Sequence, residues 1–522
     1  MQPDQSRRKF LGTTGAVAIA AATRPASVFG QAGSAAASGI AYASVAELAA
    51  GLAARRFSAV ELVDHAIARI EALDGTINAV AVRDFGRARV AAVQADAALA
   101  RRDTRPLLGI PMTVKESFNV AGLPTTWGIP QFKDRRAAQD ALIVARAKAA
   151  GAIVLGKTNV PLLLSDWQTY NEIYGTTNNP WDRARTPGGS SGGAAASLAA
   201  GYVPLELGSD IGGSLRAPAH YCGVFAHKPT HGLIPSRGHA FPSAPALPGE
   251  VDLAVVGPMA RTAADLERML DVIAGPDEPL AAGYQLALKP ARHDTLRGFR
   301  ALVVDTHPLL PTAESVRLAI DSFANKLAGA GVKVARSSPL MPDLARGAHV
   351  YAQLFSSFVG ADMPIDAYRQ VQGIAASLPA EDASLAATRL RSLVLSHREW
   401  ISADRMRSGI QQQWRELFRE WDVVVCPVMP TPAFPHDHSS GPTRRIAIDG
   451  KDYPYGDQIV WPGVATVPGL PATAVPIDRT DTGLPIGVQV VGPYLADRTT
   501  LAFARLVERE FGGFVRPPGF AA

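Results

Sequence analysis

From Ala41 onward, apolar and polar positions follow two different rhythms. Val45 to Leu73 and Gly86 to Ala100 repeat apolar residues at helical spacing among Arg, Glu and Asp, which predicts amphipathic helices. Ile110 to Val114 is a short apolar run ending at Lys115, and a further helix over Ala138 to Ala150 stops at Gly151 and leads into a strand at Ala152 to Leu155. Later in the chain, Phe299 to Val304 and Val423 to Val425 read as buried strands. Helices and strands in this order predict an α/β fold in which helices cover a sheet. The Pro/Gly-rich segments Pro242 to Gly249 and Pro427 to Pro435 are too short to be free linkers, so 40–522 reads as a single domain, with 275–420 as a helical elaboration.

The amino terminus follows neither rhythm. Ser6-Arg7-Arg8-Lys9-Phe10-Leu11 resembles a twin-arginine export motif and precedes a small, apolar run from Gly12 to Ala22. That run is too short to span a bilayer, which takes about 20 apolar residues. Residues 1–35 are therefore expected to be a signal peptide, cleaved at a bond the sequence does not fix, leaving a mature chain in a bacterial periplasm with no membrane attachment.

Charge excludes one class of partner. Of the net +5, Arg7, Arg8, Lys9 and Arg24 against Asp4 supply three, and the small remainder is no footprint for a phosphate backbone, so no nucleic acid is expected. Cys222 and Cys426 read as separate buried thiols. Metal-ligand spacings such as CxxC and HExxH are absent, and His436-Asp437-His438 reads as a solvated loop, so neither metal nor cofactor is expected.

Gly151-Ala-Ile-Val-Leu-Gly156-Lys157-Thr158 satisfies the phosphate-loop pattern GxxxxGK[ST], but its context is inverted. The four residues between the glycines form an apolar strand rather than a polar cradle, and Pro161 follows with no long helix. Two other segments carry more chemistry: Thr186-Pro-Gly-Gly-Ser190-Ser191-Gly-Gly, and Gly208-Ser209-Asp210-Ile211-Gly212-Gly213-Ser214-Leu215-Arg216. The first opens a helical stretch, Ala194 to Ala200, so its amides and hydroxyls converge at a helix N-terminus. The second places two glycines before a serine, where backbone amides can turn toward one point as an oxyanion hole requires.

These segments, with Thr113-Val-Lys115, Thr158-Asn-Val-Pro161, Tyr174-Gly-Thr-Thr-Asn-Asn-Pro180, Cys222-Gly-Val224, Lys228-Pro-Thr230 and Gly483-Leu-Pro-Ile-Gly-Val-Gln489, resemble the amidase signature family across nearly the whole mature chain. Ser190 and Ser214 lie 24 positions apart, the family's spacing between relay serine and nucleophile. The resemblance implies a mixed sheet sandwiched between layers of helices, and amide hydrolysis with Ser214 as nucleophile, Ser190 as proton relay and Lys115 as a base kept neutral by burial. It further implies a cis Gly189–Ser190 peptide and an oxyanion hole from the amides of Ile211, Gly212, Gly213 and Ser214. Around these, Ser191 is expected to hydrogen-bond Lys115, and Asp210 to pair with Arg216. Ser209, also expected to support the site, stands where many relatives have threonine, a change that keeps the hydroxyl.

Rival readings fit less well. Gly189-Ser-Ser191-Gly-Gly193 matches the GxSxG elbow of α/β-hydrolases, but prolines 180 and 187 occupy the approach and no histidine follows His438. The amidase subunit of a glutamine-dependent tRNA amidotransferase would need cytoplasmic partners, which the export motif opposes. A non-catalytic binding protein is opposed by the complete Lys-Ser-Ser set. The expected ligand is a small-molecule amide, drawn from aryl, aliphatic, fatty acid or peptide amides or carbamates, and a homodimer is left open. Trp167, Tyr170, Tyr174, Phe355, Tyr455 and Trp461 are candidates for the pocket wall.

Overall fold

The computed structural model describes residues 40–244, 250–439 and 443–520. The expected export segment, 1–35, lies outside the described residues. The centre is an eleven-stranded mixed sheet. Its strands in chain order are β1 (Val80–Arg83), β2 (Pro111–Lys115), β3 (Ile153–Thr158), β4 (Leu205–Asp210), β5 (Phe225–Lys228), β6 (Val255–Ala260), β7 (Arg300–Val303), β8 (Lys333–Ala335), β9 (Val423–Pro427), β10 (Ala472–Arg479) and β11 (Pro485–Val491). Across the sheet they run β1-β3-β2-β4-β6-β5-β10-β11-β9-β7-β8.

Two runs of the sheet are parallel (β3-β2-β4 and β9-β7-β8), while the middle and the edge pair β1-β3 are antiparallel. Helices cover both faces, so strands such as Val423-Val-Val425 and Val488 to Val491 are buried throughout and need no polar face. This is the α/β sandwich expected from the sequence.

Three boundaries differ from the expectation, the smallest being the helix expected over Ala138 to Ala150, which spans Leu142–Ala149. The predicted helix Val45 to Leu73 is two helices, Val45–Ala53 and Ala59–Ile77, because Arg55 turns into the left-handed region (φ 54°) and Ser58 opens the second helix with a capping box to Glu61. The stretch 275–420 is not wholly helical. It holds helices Glu314–Gly329, Leu344–Ala361, Ile365–Ser377, Leu385–Ser392 and His397–Glu420, but also β7 and β8, which form one edge of the central sheet. Its apolar runs are therefore part of the main core rather than of an appendage. Cys222 and Cys426 are separate buried thiols, and among the described residues no helix is long and apolar enough to cross a membrane.

Candidate active site

Parallel pairing brings the first groups together. β2 and β4 run side by side with Val114 opposite Leu207, so Lys115 and Ser209 leave the sheet at the same carboxyl edge, where open α/β sheets usually hold ligands. Lys115 has no exposed surface, and its Nζ lies 2.7 Å from Ser190 Oγ and 2.9 Å from Ser209 Oγ. Burial pushes its pKa down to about 7, against the opposing pull of the Asp210 and Glu206 carboxylates. As an ammonium the group donates to both hydroxyls. As a free amine it donates to Ser209 and offers its lone pair to the Ser190 O–H.

Ser190 is held by the glycine-serine loop ahead of the helix Gly192–Ala199. The Gly189–Ser190 peptide is cis. Only glycine fits at 189, since a methyl group there would come within 2.3 Å of the Asp166 carbonyl oxygen and 2.4 Å of that of Gln168. The Ser191 amide donates to the Ser214 carbonyl at 3.2 Å and so ties the two serine loops together. The Ser191 hydroxyl points at the Ser209 carbonyl, 3.4 Å away, rather than at Lys115. The second hydroxyl on the lysine is that of Ser209, and the expected Ser191–Lys115 bond is replaced by this one.

Ser214 sits almost buried between Gly213 and the helix Arg216–Cys222. Gly213 has φ +93°, and a methyl group there would come within 2.7 Å of the Pro462 ring. Its N–H donates to Asp210 Oδ1 at 2.9 Å, so this amide, expected in the oxyanion hole, faces a carboxylate instead. Asp210 also accepts from the Leu215 amide at 3.1 Å and pairs with Arg216 through two bonds of 2.9 and 3.0 Å, both side chains being wholly buried. Burial alone would raise the Asp210 carboxyl, but the Arg216 charge and hydrogen bonds outweigh it and hold the pKa below its ordinary value. Arg216 reaches on to Gln489 Oε1 (2.6 Å), the Pro462 carbonyl (3.0 Å) and Thr466 Oγ1 (2.9 Å). Gln489 in turn donates to the Pro427 and Trp461 carbonyls at 2.9 and 2.8 Å. The late Gly483–Gln489 motif is thereby joined to the Ser214 loop, a role its sequence does not announce.

Of the six aromatic candidates, Trp167 hydrogen-bonds the Ile211–Gly213 loop, its indole N–H donating to the Gly212 carbonyl at 2.8 Å. Tyr455 packs behind it, rings 5.5 Å apart, and Phe355 lies beside Tyr351 at 5.9 Å. Trp461 is wholly buried against His307, Tyr174 donates to Glu116, and Tyr170 stacks on His438. Tyr351, which the sequence did not single out, donates its hydroxyl to the Ile211 carbonyl. The phosphate-loop look-alike is the buried strand β3, with Lys157 Nζ bonded to the Pro124 carbonyl and to Thr125 Oγ1.

Known proteins resemble the chain over almost all of its length. The amidase family model matches residues 61–501. The chain is 32% identical to a glutamyl-tRNA(Gln) amidotransferase subunit from Anaeromyxobacter sp. (strain K), over 90% of this chain and 97% of that one. It is equally, 32%, identical to the fatty-acid amide hydrolase 2-A of Danio rerio, over 91% and 90%. A solved structure described as an unexpected vestigial protein complex, revealing the evolutionary origins of an s-triazine catabolic enzyme, superposes with a TM-score of 0.75 at 30% identity, over 91% of this chain and all of that one. A bacterial aryl acylamidase shares the fold with a TM-score of 0.75 at 24% identity, covering 90% and 96%. The chain belongs to the amidase signature family of amide hydrolases.

Proposed function

We propose that the chain hydrolyses a small carboxylic amide through an acyl-enzyme on Ser214, with Ser190 passing the Ser214 proton to Lys115. Lys115 carries this reading: a fully buried amine with a pKa near 7 and a serine hydroxyl at 2.7 Å. A serine hydroxyl is a weak nucleophile and needs a base, and a base is most effective when its pKa lies near the working pH. Lys115 takes the Ser190 proton while Ser190 takes that of Ser214, and Ser214 Oγ attacks the carbonyl carbon. Amides of the Ile211–Ser214 turn other than that of Gly213 hold the resulting oxyanion. The lysine proton returns through the Ser190 hydroxyl to the amide nitrogen, the C–N bond breaks, and ammonia or an amine departs. Water then attacks the acyl carbon, giving a proton through Ser190 to Lys115, and that proton returns to Ser214 Oγ as the C–O bond breaks and the carboxylic acid leaves.

A second reading, as one component of a tRNA amidotransferase, is supported by 32% identity over 97% of the length of such a component. The fatty-acid amide hydrolase matches equally well, so similarity does not rank the two. Purified chain alone, given aryl, aliphatic, long-chain acyl and glutamine amides, is expected to release ammonia or an amine from at least one. Ser214→Ala is expected to reduce that rate by about 10⁴-fold or more. Release from glutamine only in the presence of partner subunits favours the second reading. The Ser6–Leu11 pattern supports export; replacing both Arg7 and Arg8 by lysine is then expected to leave the chain in the cytoplasm.

A further inference from the structure

Two aromatic side chains fix the peptide directions of the loop that follows β4. In a planar trans peptide the carbonyl of one residue and the N–H of the next point opposite ways. The Tyr351 hydroxyl, from the middle of the helix Leu344–Ala361, donates to the Ile211 carbonyl and so turns the Gly212 N–H away from itself. The Trp167 indole donates to the Gly212 carbonyl at 2.8 Å, turning the Gly213 N–H the other way, onto Asp210. A methyl group on Gly212 would meet nothing within 4 Å except the Tyr351 hydroxyl at 3.9 Å, so the loop borders open space here. Tyr351 has no room to adjust. It is wholly buried, and its ring lies so close to Gly463 that a methyl group there would come within 2.6 Å. Burial and the nearby Asp210 charge push its hydroxyl pKa up, which keeps it a donor at every working pH.

We propose that Tyr351 and Trp167 are positioning residues for the oxyanion: they present the Gly212 N–H to the reacting carbonyl oxygen, while Asp210 withholds that of Gly213. The proposal rests on the acyl-enzyme reading above. It gives the segment 275–420 a part in the chemistry, since Tyr351 is how that segment reaches the Ser214 loop.

Tyr351→Phe keeps the ring in its seat and removes only the donor. It is expected to lower kcat by about 10- to 100-fold, less than the ~10²–10³ seen when an oxyanion donor is lost outright, with KM and Tm little changed. The sharper readout is a trifluoromethyl ketone carrying the acyl group of the best amide. Ser214 Oγ adds to its carbonyl carbon, the C=O electron pair becomes the oxyanion, and the serine proton passes through Ser190 to Lys115. Its Ki should rise by the factor by which kcat falls, while the Ki of the matching secondary alcohol, which forms no oxyanion, stays put. Trp167→Phe carries the same pair of readouts should Tyr351→Phe fail to fold. Equal rises for ketone and alcohol point to a merely structural role and overturn the proposal. Ser214-dependent turnover with wild-type ketone affinity in both variants overturns the clamp alone. Turnover that survives Ser214→Ala overturns the acyl-enzyme reading and the clamp with it.

Discussion

Lys115 and Lys157 stand on adjacent parallel strands of one sheet, both wholly buried, and the same desolvation lowers both pKa values, to about 7 and about 8. Only their partners differ. Lys115 Nζ faces two serine hydroxyls, of which that of Ser190 is the proposed relay to Ser214. Lys157 Nζ faces the Pro124 carbonyl, which has no proton to give, and a threonine hydroxyl at 3.0 Å. Lys228 makes the same point a third time, with a pKa near 7 and its Nζ on the Pro229 carbonyl. A depressed lysine pKa therefore does not mark a base by itself. What marks one is a depressed lysine joined to hydroxyls that lead toward a nucleophile.

The most direct way to break this comparison is to remove each amine in turn. Lys115→Met is expected to lower kcat/KM by about 10²–10⁴-fold, the usual worth of general acid–base assistance. Lys157→Met should leave kcat per folded molecule nearly unchanged while costing about 1–3 kcal/mol of stability, because a buried carbonyl and hydroxyl lose their donor. Rates on active-site-titrated protein, beside thermal melts, separate the two. Comparable rate losses in both variants would erase the distinction.

A smaller effect sharpens it. Because burial lowers the folded pKa of Lys115 to about 7, the proposed base is charged below that pH and free above it. The kcat/KM profile should fall roughly tenfold per pH unit on the acid side and level off on the alkaline side. The inflection should be insensitive to Lys157→Met. A rate that declines steadily above pH 7 while the protein stays folded counts against a lysine base.

Smaller still is the dependence on leaving group. In the proposed relay Lys115 also returns the proton to the departing nitrogen, which an alkoxide needs less. Lys115→Met should therefore cost an amide about 10-fold more than an ester with the same acyl group. Equal losses would confine the lysine to the attack step.

Much of this was legible in the chain. The α/β class followed from periodicity because buried parallel strands such as β2 and β3 are short apolar runs with clear ends. The contact between Lys115 and Ser190 followed from motif and spacing, as did the Asp210–Arg216 pair, six residues apart on one turn. The rest depends on contacts that no local pattern encodes. Tyr351 lies 140 positions from the carbonyl it holds, in a stretch with no motif, and reads as one more apolar residue on a helix. Gly213 was expected to point its amide at substrate because glycine allows it, but which way the peptide turns is decided by Asp210 and Trp167. Ser209 was expected to support the site, but only the β2–β4 register shows that its hydroxyl sits on the lysine. The break between the first two helices was readable in Ser58-Ala-Val-Glu61, a capping signature that the run of apolar spacing obscured.

The relay from Ser214 through Ser190 to Lys115 is tested most directly by where a fluorophosphonate lands and how fast. The reagent forms a bond from phosphorus to the attacking serine oxygen and expels fluoride, so peptide mapping by mass spectrometry names the nucleophile without knowledge of the substrate. The account predicts a single adduct on Ser214, its formation slowed by about 10²-fold or more in Ser190→Ala and in Lys115→Met and unchanged in Lys157→Met. An adduct on Ser190 or Ser191, or labelling of Ser214 at an undiminished rate without Lys115, would contradict it.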